Sequence, residues 1–159
     1  MVALRSCKTE LECIDSKTPQ ISTIKKSFGE DFIQAYIESW IVNLRMFFNV
    51  GRAMTDAQTF ETAMMIVEEY PYLNIADINL IFKNAKLGKY GKLYDRLDGS
   101  IILEWFERYF NDRCNAASER SIAEAESYKG GSYDSPERVR EFVNSLIKEE
   151  KKYKRSYGK

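Results

Sequence analysis

Hydrophobic residues recur at steps of three and four along residues 30–48, the spacing of one helix face over about five turns. Glu30 and Asp31 suit the start of such a helix and Arg45 suits its end, because their charges complement the helix dipole. The pattern predicts a helix over 30–49, and its wide apolar face indicates a central helix with neighbours on more than one side. The apolar positions are Phe32, Ile33, Tyr36, Ile37, Trp40, Ile41, Leu44, Phe47 and Phe48.

A second helix is predicted over residues 56–69. Thr55 and Gln58 have the spacing of a capping box, in which both side chains satisfy backbone N–H groups at the helix start. Pro71 ends this helix, since the residue before a proline is disfavoured in the α conformation. The residues expected to face the core are Ala57, Phe60, Ala63, Met64 and Val67, with Met65 and Ile66 widening that face.

Two more helices are predicted over 75–87 and from 99 to about 120. Asn74 and Asp98 are capping residues at their starts, and Gly88 offers the left-handed stop that commonly ends a helix. Their apolar stripes are Ile75, Ile78, Ile81, Phe82 and Ala85 in the first helix, and Ile101, Ile102, Trp105, Phe106 and Tyr109 in the second.

The two ends of the chain differ from this middle part. Residues 1–20 mix charges with Ser, Thr and Pro and show weak periodicity, which predicts a flexible arm. Residues 21–28 are expected either to form a brief helix that ends at Gly29 or to continue the arm. Residues 114–128 are rich in Ala, Ser and Glu, so they are expected to be an exposed extension of the preceding helix.

A glycine- and serine-containing linker is predicted at 129–135, and a C-terminal amphipathic helix with a basic tail at 136–159, its helical part being 136–155. Pro136 at the first helical position is a strong start signal. The narrow apolar stripe of this helix is what a helix needs to dock on a groove, either of its own domain or of a partner. The stripe consists of Val139, Phe142, Val143, Leu146 and Ile147.

The sequence therefore predicts an all-α protein: a compact bundle of about four to five helices within a helical domain at 21–128. The flexible arm and the linked amphipathic helix flank this domain. Trp40 and Trp105 are expected near the centre of the core. The chain has three prolines and eight glycines in 159 residues, which is too few turn-forming residues for many short strands.

Composition narrows the function. The chain has no histidine, and its 24 basic and 24 acidic residues balance. Histidine is the usual general base near neutral pH and a common metal ligand, and the cysteines Cys7, Cys13 and Cys114 lack metal-site spacing. No serine, threonine or lysine stands in a spacing that supplies a nucleophile with its base. We therefore expect no enzyme activity, catalytic residue, metal or cofactor, and a cytoplasmic location without a membrane-spanning segment.

The charge is unevenly distributed. Residues 71–97 carry 5 basic against 2 acidic residues, and residues 148–159 carry 6 against 2. The first island contains GKYGKLYDR, where glycines, cations and tyrosines together are the ingredients of single-strand nucleic-acid binding. The alternative is a helix–helix connection whose lysines face water while its tyrosines pin it to the core. The candidate nucleic-acid-binding residues are Lys86, Lys89, Tyr90, Lys92, Tyr94 and Arg96.

The segment YPYLNIADI, followed by FKNAKLGKYGKLYDRLDG and ILEWF, resembles small, uncharacterised helical proteins of phages and mobile elements of gut bacteria. More loosely, it is similar to phage replication accessory proteins of the helicase-loader-like kind. The resemblance covers residues 56–113 and transfers no catalytic residue. It implies a phage or mobile-element protein in the host cytoplasm that acts around DNA replication through a protein partner.

Three functional hypotheses follow. The leading one is a non-enzymatic protein-interaction module and DNA-replication accessory factor, with the amphipathic helix as the partner-binding element. The second is direct nucleic-acid binding through the basic turn at 86–96 and the C-terminal tail. The third is a self-associating structural protein, in which the apolar stripe closes a homo-oligomer.

Overall fold

The computed structural model describes residues 7–93, 96–130, 137 and 139–144. Its helices are α1 (Glu10–Asp15), α2 (Ile21–Phe28), α3 (Glu30–Phe47), α4 (Asp56–Glu69), α5 (Ile75–Lys86) and α6 (Gly99–Gly130). Residues 139–144 are also helical. The described residues contain no β-strand, and the prediction of an all-α fold is confirmed. The chain forms two compact units, Met1–Ala117 and Ser118–Lys159.

The helix starts in the first unit follow from local side-chain chemistry. Thr55 and Gln58 form the predicted capping box at α4. Asn74 caps α5, and a second capping box forms because Asp77 accepts a hydrogen bond from the Asn74 backbone N–H at 2.8 Å. Asp98 Oδ1 accepts the backbone N–H of Ile101 at the start of α6. Each cap satisfies donors that a helix end leaves without partners.

The core of the first unit is built around α3, which packs against α2, α4 and α5. One row of α3 is fully buried: Ile33, Ile37, Ile41 and Leu44. The apolar face is narrower than predicted, because Phe32 and Phe47 are more than half exposed.

Aromatic rings of α5 and α6 meet at the centre of this core. Phe82 and Phe106 are both fully buried, with ring centroids 5.8 Å apart in an edge-on arrangement. Trp105 is buried nearby, as predicted. Trp40 was expected at the centre, but it is only partly buried and stacks on Phe82 from the edge of the core, 5.4 Å between centroids. The smaller aliphatic residues of α3 occupy the deeper positions.

The buried face of α4 differs from the predicted one. Ala63, Ile66 and Val67 are buried together with Thr59 and Thr62, whereas Phe60 and Met65 are exposed. The threonine hydroxyls donate to carbonyl oxygens one turn earlier, Thr59 Oγ1 to Thr55 at 2.9 Å and Thr62 Oγ1 to Gln58 at 2.7 Å. Because their polar atoms are satisfied within the helix, these threonines can be buried at little cost.

The stretch that we expected to be a flexible arm contributes to the core where the structure describes it. Cys13 of α1 is fully buried, and its carbonyl accepts a hydrogen bond from Asn74 Nδ2 at 2.8 Å. Helix α1 packs against α5. Of the two alternatives for residues 21–28, the brief helix is the one observed. This helix, α2, ends at Gly29, which has a φ of +90°. Helix α1 has only 6 residues, which is too short for a clear periodic pattern in the sequence.

The described side chains of the second unit lie at 118–128, 137 and 139–144, and none of them is buried. Helix α6 extends through Gly130, so it includes the first two residues of the predicted linker; residues 131–135 lie outside the described part. Of the predicted C-terminal helix, 137 and 139–144 are helical. No helix among the described residues has the length and apolar character needed to cross a bilayer.

Candidate functional sites

The basic turn begins where α5 ends. Leu87 closes the helix, and Gly88 and Gly91 then take positive φ angles of +71° and +107°. Both angles favour glycine, because a side chain is strained in this part of the φ/ψ map. The Lys89 backbone N–H donates to the Asn84 carbonyl at 3.0 Å, which fixes the turn against the last turn of the helix. The turn is therefore a defined structure.

Tyr90 anchors the turn to α6. Its ring stacks on Trp105 with 5.8 Å between centroids and 17° between planes, and the Arg108 guanidinium carbon lies 5.8 Å from the ring centre. Burial raises the pKa of the Tyr90 hydroxyl to about 12, partly offset by its neighbour Asn84. Among the described residues, neither the Tyr90 hydroxyl nor Asn84 Oδ1 meets hydrogen-bond geometry. The stacking partner of Tyr90 is thus within the protein.

Lys86 is held over α3. Its ammonium group donates to Asn43 Oδ1 and lies 5.3 Å from the ring centres of both Trp40 and Phe47. Cation–π attraction of this kind and the hydrogen bond together restrain the side chain. Lys86 is the candidate phosphate-binding residue that the structure holds most firmly.

The remaining candidate cations are exposed. Lys89, Lys92 and Arg96 face solvent, and Arg96 Nε lies 3.5 Å from Asp98 Oδ2. An isolated parallel bridge joins Arg52 to Arg96, with the Leu97 backbone N–H donating to the Arg52 carbonyl at 3.0 Å. Exposed Arg52 therefore lies beside the basic turn, although it is far away along the chain. Tyr94, the other predicted aromatic residue, lies outside the described residues.

A pocket of about 330 Å³ opens between the turn and α6. From α6 it is lined by residues spaced i, i+3 and i+4, which share one helix face: Ile101, Glu104 and Trp105. From the turn side it is lined by Tyr90, Gly91, Lys92, Leu93 and Arg96. The lining combines apolar side chains with three charged ones, Lys92, Arg96 and Glu104. Three of these residues, Tyr90, Lys92 and Arg96, were predicted as candidate site residues from the sequence. Glu104 was not predicted, because its place beside Trp105 is its only local signal.

The predicted docking stripe lies in the second unit. Val139, Phe142 and Val143 are 46%, 64% and 45% exposed, and they share one face of the helical segment. Leu146 and Ile147, the other two predicted members of the stripe, lie outside the described residues.

Acidic and cysteine side chains are the potential metal ligands of this chain, which has no histidine. No group of three or more such side chains is placed to hold an ion in the described parts of the chain. Cys13 is buried, and burial raises the pKa of its thiol to about 12, which keeps it protonated at neutral pH.

A family model described as a family of unknown function, DUF6633, matches residues 53–152, which is more than half of the chain. This protein belongs to the DUF6633 family. The DUF6633 match includes α4, α5, the basic turn, the pocket and residues 139–144, whereas the buried row of α3 lies before it. No curated protein and no solved structure matches the chain.

Proposed function

We propose that this DUF6633 protein is a non-enzymatic protein-interaction module of a phage or mobile element and acts as a DNA-replication accessory factor. Its docking element is the amphipathic segment that begins at Val139. The proposal is supported chiefly by the exposure of Val139, Phe142 and Val143 on one helix face. The link to replication comes from the sequence resemblance.

An amphipathic helix gains stability when its apolar face is buried against another surface. Isolated helices shorter than about 12–15 residues are marginal in water, so most helix stability comes from packing of an apolar face. No described side chain of residues 118–144 is buried. A partner groove that covers the stripe would supply the missing burial, as in other helix-in-groove complexes.

Affinity capture tests this function. The full-length protein is used as bait in a lysate of a gut-bacterial host, beside a Val139→Glu/Phe142→Glu variant and an Arg140→Ala/Glu141→Ala control on the same segment. We expect a replication protein, identified by mass spectrometry, to be retained by the wild type and the control. The stripe variant should retain at least about tenfold less, since two charges replace the apolar contact.

Circular dichroism of each bait is the folding control. Capture of no replication protein by folded wild type, or equal capture by the stripe variant, would count against the proposal. Sedimentation of the same samples shows whether the stripe instead closes a homo-oligomer.

A second candidate function is binding of single-stranded nucleic acid, and the backbone pairing of exposed Arg52 with exposed Arg96 at the basic turn favours it. Binding through exposed cations should weaken steeply with salt, because it releases counterions from the phosphate backbone. Lys89→Glu combined with Lys92→Glu should abolish most of this affinity in fluorescence-anisotropy titrations. Titrations that show no binding, or binding insensitive to salt, would exclude this function.

A further inference from the structure

A pocket between the basic turn and α6 is one of the concave sites that the described residues form. Its volume of about 330 Å³ lies at the low end of the roughly 300–1,000 Å³ found for small-molecule pockets. A ligand of this size is a single small molecule or one unit of a polymer.

The charged groups at the pocket select the ligand's chemistry. Lys92 and Arg96 supply two exposed cations, which suits a phosphate or carboxylate. Among the described residues Arg96 forms one ion pair, with Asp98 at 3.5 Å. Solvent screens an exposed pair of this kind, so an anionic ligand can compete for Arg96. In the described structure Lys92 has no ion-pair partner.

Glu104 makes the pocket unlike a simple anion site. A carboxylate among cations disfavours a ligand that is negative throughout, and it accepts hydrogen bonds from N–H groups. Trp105, Leu93 and Ile101 add apolar surface beside it. The ligand therefore needs an anion, a flat apolar body and an N–H edge within one small molecule.

We propose that this pocket binds a single nucleotide. The phosphate contacts Lys92 and Arg96, the base lies against the apolar wall that includes Trp105, and Glu104 accepts hydrogen bonds from the base's amino edge. Bases with an amino group are therefore preferred to uracil, whose single N3–H donor lies between two carbonyl oxygens that repel the carboxylate. This site goes beyond the proposed function and does not need the docking stripe.

Isothermal titration calorimetry of the full-length protein tests the proposal. The probes are GMP, AMP, CMP and UMP, with inorganic phosphate and single-stranded oligonucleotides as separate arms. We expect saturable one-to-one binding of GMP, AMP or CMP and weaker binding of UMP and of phosphate. Oligonucleotides that bind no tighter than their mononucleotides identify a free nucleotide as the ligand, and tighter ones identify a nucleotide within a strand; both support the pocket.

Matched variants locate the binding. Lys92→Ala should weaken mononucleotide binding by about tenfold, whereas Lys89→Ala, on the same turn but outside the pocket, should change it less than about twofold. Glu104→Gln should reduce the preference over UMP, because an amide both donates and accepts. The Val139→Glu/Phe142→Glu variant should bind nucleotide like the wild type, which separates this test from that of the proposed function.

Three results would overturn the proposal. The first is an absence of saturable binding by any mononucleotide at millimolar concentration. The second is equal loss on Lys89→Ala and Lys92→Ala, which indicates diffuse electrostatic attraction. The third is binding by long strands alone, which leaves the pocket without a role and favours the second candidate function.

Discussion

Asp77 shows how one residue connects several helices. Its side chain is fully buried, and Oδ1 accepts hydrogen bonds from the Tyr109 hydroxyl at 2.7 Å and from Arg113 Nε at 3.2 Å. Its Oδ2 accepts the Asn74 backbone N–H. Asp77 also stands in the first turn of α5, where a negative charge is favourable. Its partners on α6 could not be predicted, because Tyr109 is 32 positions and Arg113 is 36 positions away along the chain. No local sequence pattern indicates contacts over such separations.

Tyr109→Phe tests this buried network. The change keeps the ring and removes one donor to a buried carboxylate, which should lower the free energy of unfolding by about 1–3 kcal/mol. Urea denaturation followed by circular dichroism measures the loss. Tyr72→Phe is the matched control, since Tyr72 is 67% exposed and should change stability by less than about 0.5 kcal/mol. Equal effects of the two substitutions would show that the hydroxyl contributes nothing specific.

Asp98 should make part of the stability depend on pH. The hydrogen bond from the Ser100 hydroxyl, at 2.6 Å, and the backbone N–H of Ile101 lower the pKa of Asp98. Because the folded pKa lies below the unfolded value of about 3.9, the stabilisation is present above that value and is lost as the pH falls through the folded pKa.

Asp98→Ala should therefore destabilise the protein by about 1 kcal/mol at pH 7. The difference from wild type should shrink as the pH is lowered from about 5 to below 3 in a series of urea titrations. Asp98→Asn keeps a capping side chain that does not titrate, so its difference from Asp98→Ala should stay constant with pH. If wild type and Asp98→Ala differ as much in free energy of unfolding at pH 2.5 as at pH 7, this explanation is wrong.

At the scale of the element, helix ends were more predictable than helix faces. The capping side chains act within one turn of their own positions, so Thr55, Asn74 and Asp98 were identified from spacing alone. The buried face of α4 was predicted in part: Ala63, Ile66 and Val67 are buried as expected. Phe60 was placed inward wrongly, because counting apolar residues favoured it over the threonines. The hydroxyls of Thr59 and Thr62 are satisfied by their own helix, which a count of apolar residues does not register.

Alanine substitutions on α4 distinguish the two faces. Ile66 is fully buried, so Ile66→Ala should cost about 2–5 kcal/mol through lost burial and the cavity left behind. Phe60 is 51% exposed, and Phe60→Ala should cost less than about 1 kcal/mol. Chemical denaturation of both variants measures the difference. A larger loss for Phe60→Ala than for Ile66→Ala would restore the face predicted from the sequence.

Gly99 marks the close approach of α6 to α4. A Cβ atom there would lie 2.4 Å from Thr62 Oγ1, and that hydroxyl is itself bonded to the Gln58 carbonyl. Gly99→Ala should therefore destabilise the protein by about 1–3 kcal/mol through overpacking, although alanine favours a helix. In a Thr62→Ala background the same change should be nearly neutral. A double-mutant cycle without coupling between the two sites would contradict this packing argument.

At the scale of the whole molecule, the helical bundle and the basic turn were predicted from the sequence. Contacts between segments that are distant along the chain became known only from the structure. The helix order follows from periodicity, as does the place of Phe82 and Phe106 on apolar stripes, whereas Trp40 was expected at the centre and lies at its edge. The approach of Arg52 to Arg96 and the pocket face that includes Glu104 depend on tertiary contacts between distant segments. The candidate site was therefore predictable only in part. Its turn is one continuous segment with a recognisable sequence, whereas its opposite wall on α6 is placed there by tertiary packing.

The division into two units predicts that the first folds without the second. Every described buried residue lies between Cys13 and Tyr109, within the unit Met1–Ala117. A chain that ends at Ala117 should therefore unfold cooperatively, with a Tm within about 4 °C of the full-length value. A chain that ends at Leu103 is the contrasting control and should not fold, because it lacks the core residues Trp105 and Phe106. Scanning calorimetry measures both, and loss of the cooperative transition in the longer chain would show that residues 118–159 are required for the core.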